Sequence, residues 1–127
     1  MAGTIVADTI QDGAGNSTAM DNAIYGSAKA WVNFGYVSSA ITIRKSYNVS
    51  SVTRNGTGDY TINFTTALND ANYSGVVSGN QTATVNYGYA VNAPFTSAPT
   101  TTTFRIATLT VASALTDFQY VMFAAFD

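Results

Sequence analysis

From residue 29 onward, apolar and polar side chains alternate with a period of two, the signature of strands with one buried face. Val32, Phe34 and Tyr36 share one side of a strand, with Trp31, Asn33 and Val37 on the other. Ile41, Ile43, Lys45, Tyr47 and Val49 alternate with Thr42, Arg44, Ser46 and Asn48. This phase places Lys45 inward, its stem snorkelling at a sheet edge. The phase slips at Ser50-Ser51 and leaves Val52 out of step, as a bulge or bend would. Asn55-Gly56-Thr57-Gly58-Asp59 predicts a five-residue hairpin loop. On its return strand, Tyr60, Ile62 and Phe64 point inward, and Thr61, Asn63 and Thr65 point outward.

Residues 73–78 read as a short strand, followed by a turn at Ser78-Gly79-Asn80. Val85, Tyr87, Tyr89 and Val91 then alternate with Thr84, Asn86, Gly88 and Ala90. Pro94 and Pro99 keep residues 92–100 out of any central strand. Residues 101–111 return to strand with Phe104 and Ile106 on one face, 112–117 make a turn or a single helical turn, and 118–126 form the last strand. In that strand Phe118, Tyr120, Met122 and Phe126 lie on one face, and Val121, Phe123 and Ala125 on the other. Two apolar faces predict a central strand covered twice. A thin sandwich normally leaves one face of each sheet to water. The second layer therefore comes either from another subunit or from the N-terminal segment.

That segment is different in kind. Residues 4–10 read as a strand, and Asp12-Gly13 and Gly15-Asn16 mark turns. Ser17 to Ala28 is small and polar, with Met20, Ile24 and Tyr25 as scattered anchors. It carries too little apolar area to fold alone. The expected fold is all-β: an antiparallel, jelly-roll-like β-sandwich over 28–127, preceded by an extended docking segment over 1–27.

Composition narrows the chemistry. Charged residues are 9% of the 127, far below the roughly 25% of an average chain. All seven acids are Asp, and His and Cys are absent. Histidine bases, cysteine nucleophiles, thiolate metal sites and disulfides are thereby excluded. A formal charge of −2 gives no electrostatic footprint for nucleic acid. The N-terminus lacks the basic and apolar regions of a signal peptide, and the apolar run at 121–126 is too short to span a bilayer. A hydroxyl-rich surface with few charges suits an extracellular or virion setting.

Glycan cleavage needs two carboxylates about 5 to 9.5 Å apart. Asp8, Asp12, Asp21, Asp59, Asp70, Asp117 and Asp127 are the candidates, and most fall at turns, where Asp serves the backbone. No D-x-D-x-D-G calcium loop is present, so no catalytic, cofactor or metal residue is assigned. The six Asn-x-Ser/Thr triplets follow from strand patterning. The candidate ligand or interface residues are aromatic: Tyr73, Tyr87, Tyr89, Phe95, Phe118, Tyr120 and Phe123. A tyrosine ring can stack on a sugar or pack an interface. Tyr87 and Tyr89 share a face with Val85 and Val91 and are expected to point inward, whereas Phe95, in its proline-flanked loop, is expected to be exposed.

Residues 28–34, Ala-Lys-Ala-Trp-Val-Asn-Phe, resemble the opening of a β domain of bacteriophage structural proteins, especially phages of aquatic bacteria and cyanobacteria. The likeness continues through 43–52, is strongest at 55–67 (Asn-Gly-Thr-Gly-Asp-Tyr-Thr-Ile-Asn-Phe-Thr-Thr-Ala), and extends to Asp70-Ala71-Asn72-Tyr73 and Thr103-Phe104-Arg105-Ile106. It spans roughly residues 28–127, while 76–99 look individual to this chain. Residues 4–12 look like the start of many such chains. The resemblance implies a virion component from the C-terminal end of a tail fibre, homotrimeric and without catalytic residues. It would dock other virion proteins through 1–27 and present loops 55–59, 78–81 and 92–100 to a host surface polysaccharide. The attachment segment is short for a fibre, which leaves a capsid decoration or baseplate role open.

Overall fold

The computed structural model describes residues 3–83, 88–92 and 98–127. The chain begins with an arm. β1 (Thr9–Gln11) and β2 (Ser17–Ala19) pair as a small antiparallel hairpin, with Thr9 opposite Ala19. Its turn is built on one carboxylate: Asp12 Oδ1 accepts the N–H groups of Ala14 and Asn16, both at 2.9 Å. The strand expected over 4–10 forms only at its end. Residues 4–8 have no strand partner among the described residues. A seven-residue helix that the β-rich composition gave no reason to expect, α1 (Met20–Gly26), follows β2, and none of its residues is buried.

Eight strands then build the body: β3 (Ala30–Val37), β4 (Ala40–Tyr47), β5 (Val49–Gly56), β6 (Asp59–Phe64), β7 (Ser74–Asn80), β8 (Gly88–Asn92), β9 (Thr103–Thr110) and β10 (Tyr120–Phe126). They form two four-stranded antiparallel sheets, in the orders β4-β3-β10-β7 and β5-β6-β9-β8, packed face to face as the expected all-β sandwich. A jelly roll alternates successive strands between its sheets; this chain keeps β3–β4, β5–β6 and β8–β9 as hairpins within one sheet.

The core follows the alternation. Val32 and Phe34, Tyr60 and Ile62, Phe104 and Ile106, and Val121 and Phe123 meet between the sheets. Their rings interlock: Phe34 meets Tyr60 edge-on at 5.3 Å, and Phe104 lies 4.6 Å from Phe123. Each such pair adds about 1 kcal/mol beyond the area it buries.

Irregularities decide where the alternation misleads. The slip expected at Ser50 is a bulge: Val49 faces Phe64 and Ser51 faces Asn63. A second bulge was not legible. Phe34 pairs with Ile43 but Asn33 with Lys45, so Arg44 is the extra residue on β4. The phase inverts there, and Lys45 and Tyr47 face outward and are exposed instead of inward. The loop at 55–59 tightens to Thr57-Gly58 between Gly56 and Asp59, with Gly58 at φ +64. Ser78, Gly79 and Asn80 make no turn; they complete β7 opposite Met122, Val121 and Tyr120.

β10 is central, as its composition requires, with β3 and β7 beside it. Where β3 passes the entry to β10, Gly35 is required because a Cβ would collide with the carbonyl of Gln119. Gly35→Ala should therefore lower unfolding free energy by about 3 kcal/mol through forced backbone displacement. Chemical denaturation checks this; an unchanged midpoint would contradict the close packing of β3 on the crossover.

Candidate functional site: an uncovered outer face and a polar lock

The outer side of the first sheet carries the most distinctive surface. Register aligns Tyr47 with Trp31, Trp31 with Ala124, and Ala124 with Val76. These four residues make an apolar row crossing all four strands. Met122 adds to it one pleat away, between Asn33 and Ser78. Tyr47 is 58% exposed, Val76 55% and Met122 36%, so no element of the described chain covers the row. Beside it, Arg44 stacks on the Tyr120 ring at 4.2 Å and donates to the Gln119 carbonyl at 2.7 Å.

The expected candidates divide. Tyr120 belongs to this outer face, held under Arg44. Phe118 and Phe123 are buried in the chain's own core and present nothing outward. Phe118 leaves the face of Tyr120 because it precedes β10, where the chain is still crossing between sheets. Tyr73 is also buried, its hydroxyl donating to the carbonyls of Thr100 or Thr103 at 3.2 Å. Tyr89 reverses expectation: it is 41% exposed, while its neighbour Ala90 packs against the core. Tyr87 and Phe95 lie outside the described residues. Trp31, Tyr47, Val76 and Met122 were not singled out. Trp31 was already out of phase with Val32 and Phe34, a readable signal, but the bulge at Arg44 hid Tyr47.

The acidic candidates are engaged elsewhere. At the crossover from β9 to β10, the Asp117 carboxylate gathers four donors. Arg54 gives Nη2–H at 2.7 Å and Nε–H at 3.1 Å, Gly58 its N–H at 2.9 Å, and Tyr60 its hydroxyl at 2.5 Å. The Arg54 guanidinium also lies over the Tyr36 ring at 4.4 Å. Desolvation pushes the Asp117 pKa up, but the Arg54, Gly58 and Tyr60 hydrogen bonds outweigh it and hold it below the ordinary value. Burial, then the bond to Asp117, pushes the Tyr60 phenol well above its usual range. Burial raises Tyr73 to about 12. Asp59 forms a fork with Arg105, through Nε at 2.8 Å and Nη2 at 2.5 Å, and this contact lowers its pKa. These are structural pairings in which both oxygens are occupied. Among the described residues, no group of three or more His, Cys, Asp or Glu could hold a metal ion, and no helix is long and apolar enough to cross a membrane.

Comparison with protein-family models, with characterised proteins and with solved structures finds no match to this chain.

Asp117→Asn should cost about 1–3 kcal/mol, because the half-buried site loses charge-assisted hydrogen bonds from Gly58 and Tyr60 as well as from Arg54. Equilibrium unfolding would show it; a loss below about 0.5 kcal/mol would demote the crossover lock to a surface pair. The pH profile has two edges. Asp117 and Asp59 have folded pKa values lowered from 3.8, so their contribution is complete above about pH 5 and disappears as pH falls through the folded values. Tyr60 and Tyr73 are raised from 10.0, so their contribution is complete below that and is lost as pH rises further. A flat stability plateau between about pH 5 and 9, falling on both sides, is the expected curve.

Proposed function

We propose that this chain is a non-enzymatic structural protein of a bacteriophage virion: a short, homotrimeric tail fibre that attaches through residues 1–27 and presents the β-sandwich to a host surface polysaccharide. The observation that carries the reading is the arm. Ile5 is 84% exposed and Val6 93%, and Ile24 and Tyr25 on α1 face solvent as well. Burying such side chains is worth about 2 kcal/mol each, which an isolated arm forgoes. A segment with ordered turns and unburied anchors fits a partner's surface better than it fits its own domain.

Further support comes from three directions. The family resemblance runs over the domain from residue 28. The outer row from Tyr47 to Val76 supplies a second apolar surface for assembly. Two of the five basic residues, Arg54 and Arg105, are paired internally with Asp117 and Asp59, and a formal charge of −2 gives no basic tract for nucleic acid.

Gold-labelled antibody against the purified protein, applied to phage particles, tests the reading. Label at the tail end is the expected result. Label spread over the shell would make the protein a capsid decoration, label at the tail base a baseplate component, and unlabelled particles would contradict a virion role.

A further inference from the structure

The four sheet edges are not treated alike. An edge strand exposes unpaired N–H and C=O groups and invites another strand, so folded proteins blunt edges with bulges and charges. β4 carries both devices, a bulge at Arg44 followed by Lys45. β5 carries two register shifts, around Ser50 and Asn55, with Arg54 between them. β7 carries neither. Its sequence, Ser-Gly-Val-Val-Ser-Gly-Asn, pairs with β10 in unbroken register, and residues 71–104 contain no charged residue at all. Among the described residues, no strand pairs with its other edge. β8 is also uncharged and regular, but it is two residues shorter and the outer apolar row does not lead to it.

The row does lead to β7: it ends at Val76, the last residue of the sheet in that direction. Any strand added beside β7 would contribute a fifth member to it. The chain also holds an unused strand. Gly3 to Ala7 has strand-forming residues, no pairing partner and no burial, while Asp8 is tied back by accepting the Met20 N–H at 2.8 Å. Ile5 and Val6 are adjacent, so in an extended strand they point to opposite sides. Beside the β7 edge, one of the two would lie over the outer row and the other against β8, which runs close to β7 where Gly79 meets Ala90.

We infer that residues 3–7 of one copy add as a strand to the β7 edge of a second copy, joining protomers by exchanged β-strands. The main-chain bonds of β7 give affinity, and the Ile5 and Val6 pockets give register. Donor and acceptor are different surfaces, so the contact is head-to-tail and closes only as a ring. This deepens the homo-oligomer part of the proposed function and is silent on the virion part. Particle labelling and strand exchange can therefore fail separately.

The absence of cysteine makes the test clean. Chains bearing Ile5→Cys are mixed with chains bearing Val76→Cys and oxidised, and a parallel mixture uses Thr42→Cys on the guarded β4 edge. The 5–76 disulfide should form at least about tenfold faster than the 5–42 disulfide, reflecting docking at an effective concentration near millimolar. Deleting residues 1–8 should reduce the mass by light scattering to that of one chain, with the β-sheet circular dichroism unchanged. Equal rates for the two disulfides would overturn the inference. So would an oligomer that survives the deletion, or a doubly substituted Ile5→Cys/Val76→Cys chain that links only to itself.

Discussion

The chain passes between the two sheets four times, and the sandwich depends most on one of these crossings. Between β9 and β10 the chain must leave one sheet and enter the other, and it does so at Asp117 and Phe118. Asp117 collects donors from β5, from the β5–β6 turn and from β6, while the Phe118 ring sinks into the core and its carbonyl accepts the Tyr36 N–H of β3 at 2.8 Å. One dipeptide thus ties three strands of two sheets. The neighbouring backbone is drawn in as well: Thr108 N–H donates to the Gly58 carbonyl at 2.8 Å, and Thr116 N–H to the Thr108 carbonyl at 3.0 Å. A half-buried carboxylate with four donors loses most of its own desolvation penalty, and the tyrosine and arginine beneath it lose theirs.

With that lock in place, the body is complete in itself. Every buried side-chain polar atom among the described residues has a partner. Phe34, Tyr60, Phe104 and Phe123 fill the space between the sheets without help from residues 3–28. What remains outside is therefore informative: an arm of exposed Ile5 and Val6, an apolar row ending at Val76, and a β7 edge with no hydrogen-bonded strand beside it among the described residues. These three surfaces on an otherwise finished domain are where the proposed assembly role would act.

Much of the body was legible because period-two patterning is strict wherever one face is buried. Tyr60-Ile62-Phe64 and Phe104-Ile106 fell where alternation put them, and the slip at Ser50 announced its own bulge. The central place of β10 followed from its two apolar faces. The failures share a cause: side-chain phase is inherited along a strand, so one undetected insertion corrupts everything after it. The bulge at Arg44 turned Lys45 and Tyr47 outward and concealed the place of Tyr47 in the apolar row. Tyr89 misled because it shares a face with Val91, which packs on an outer apolar cluster of Ala107 and Leu109 and not in the core. The ion-pair partners Arg54 and Asp117 lie 63 residues apart, a separation at which no local pattern links them.

Native-state hydrogen exchange tests the central claim most directly. If the Asp117 crossing holds the two sheets together, the amides of Tyr36, Gly58 and Thr108 should exchange only through global unfolding, with the same opening free energy as the central residues of β6 and β10, while those of α1 exchange with little protection. Opening of the Gly58 and Thr108 amides at much lower free energy, with β6 and β10 still protected, would show that the sheets are held without the crossing and would contradict the account.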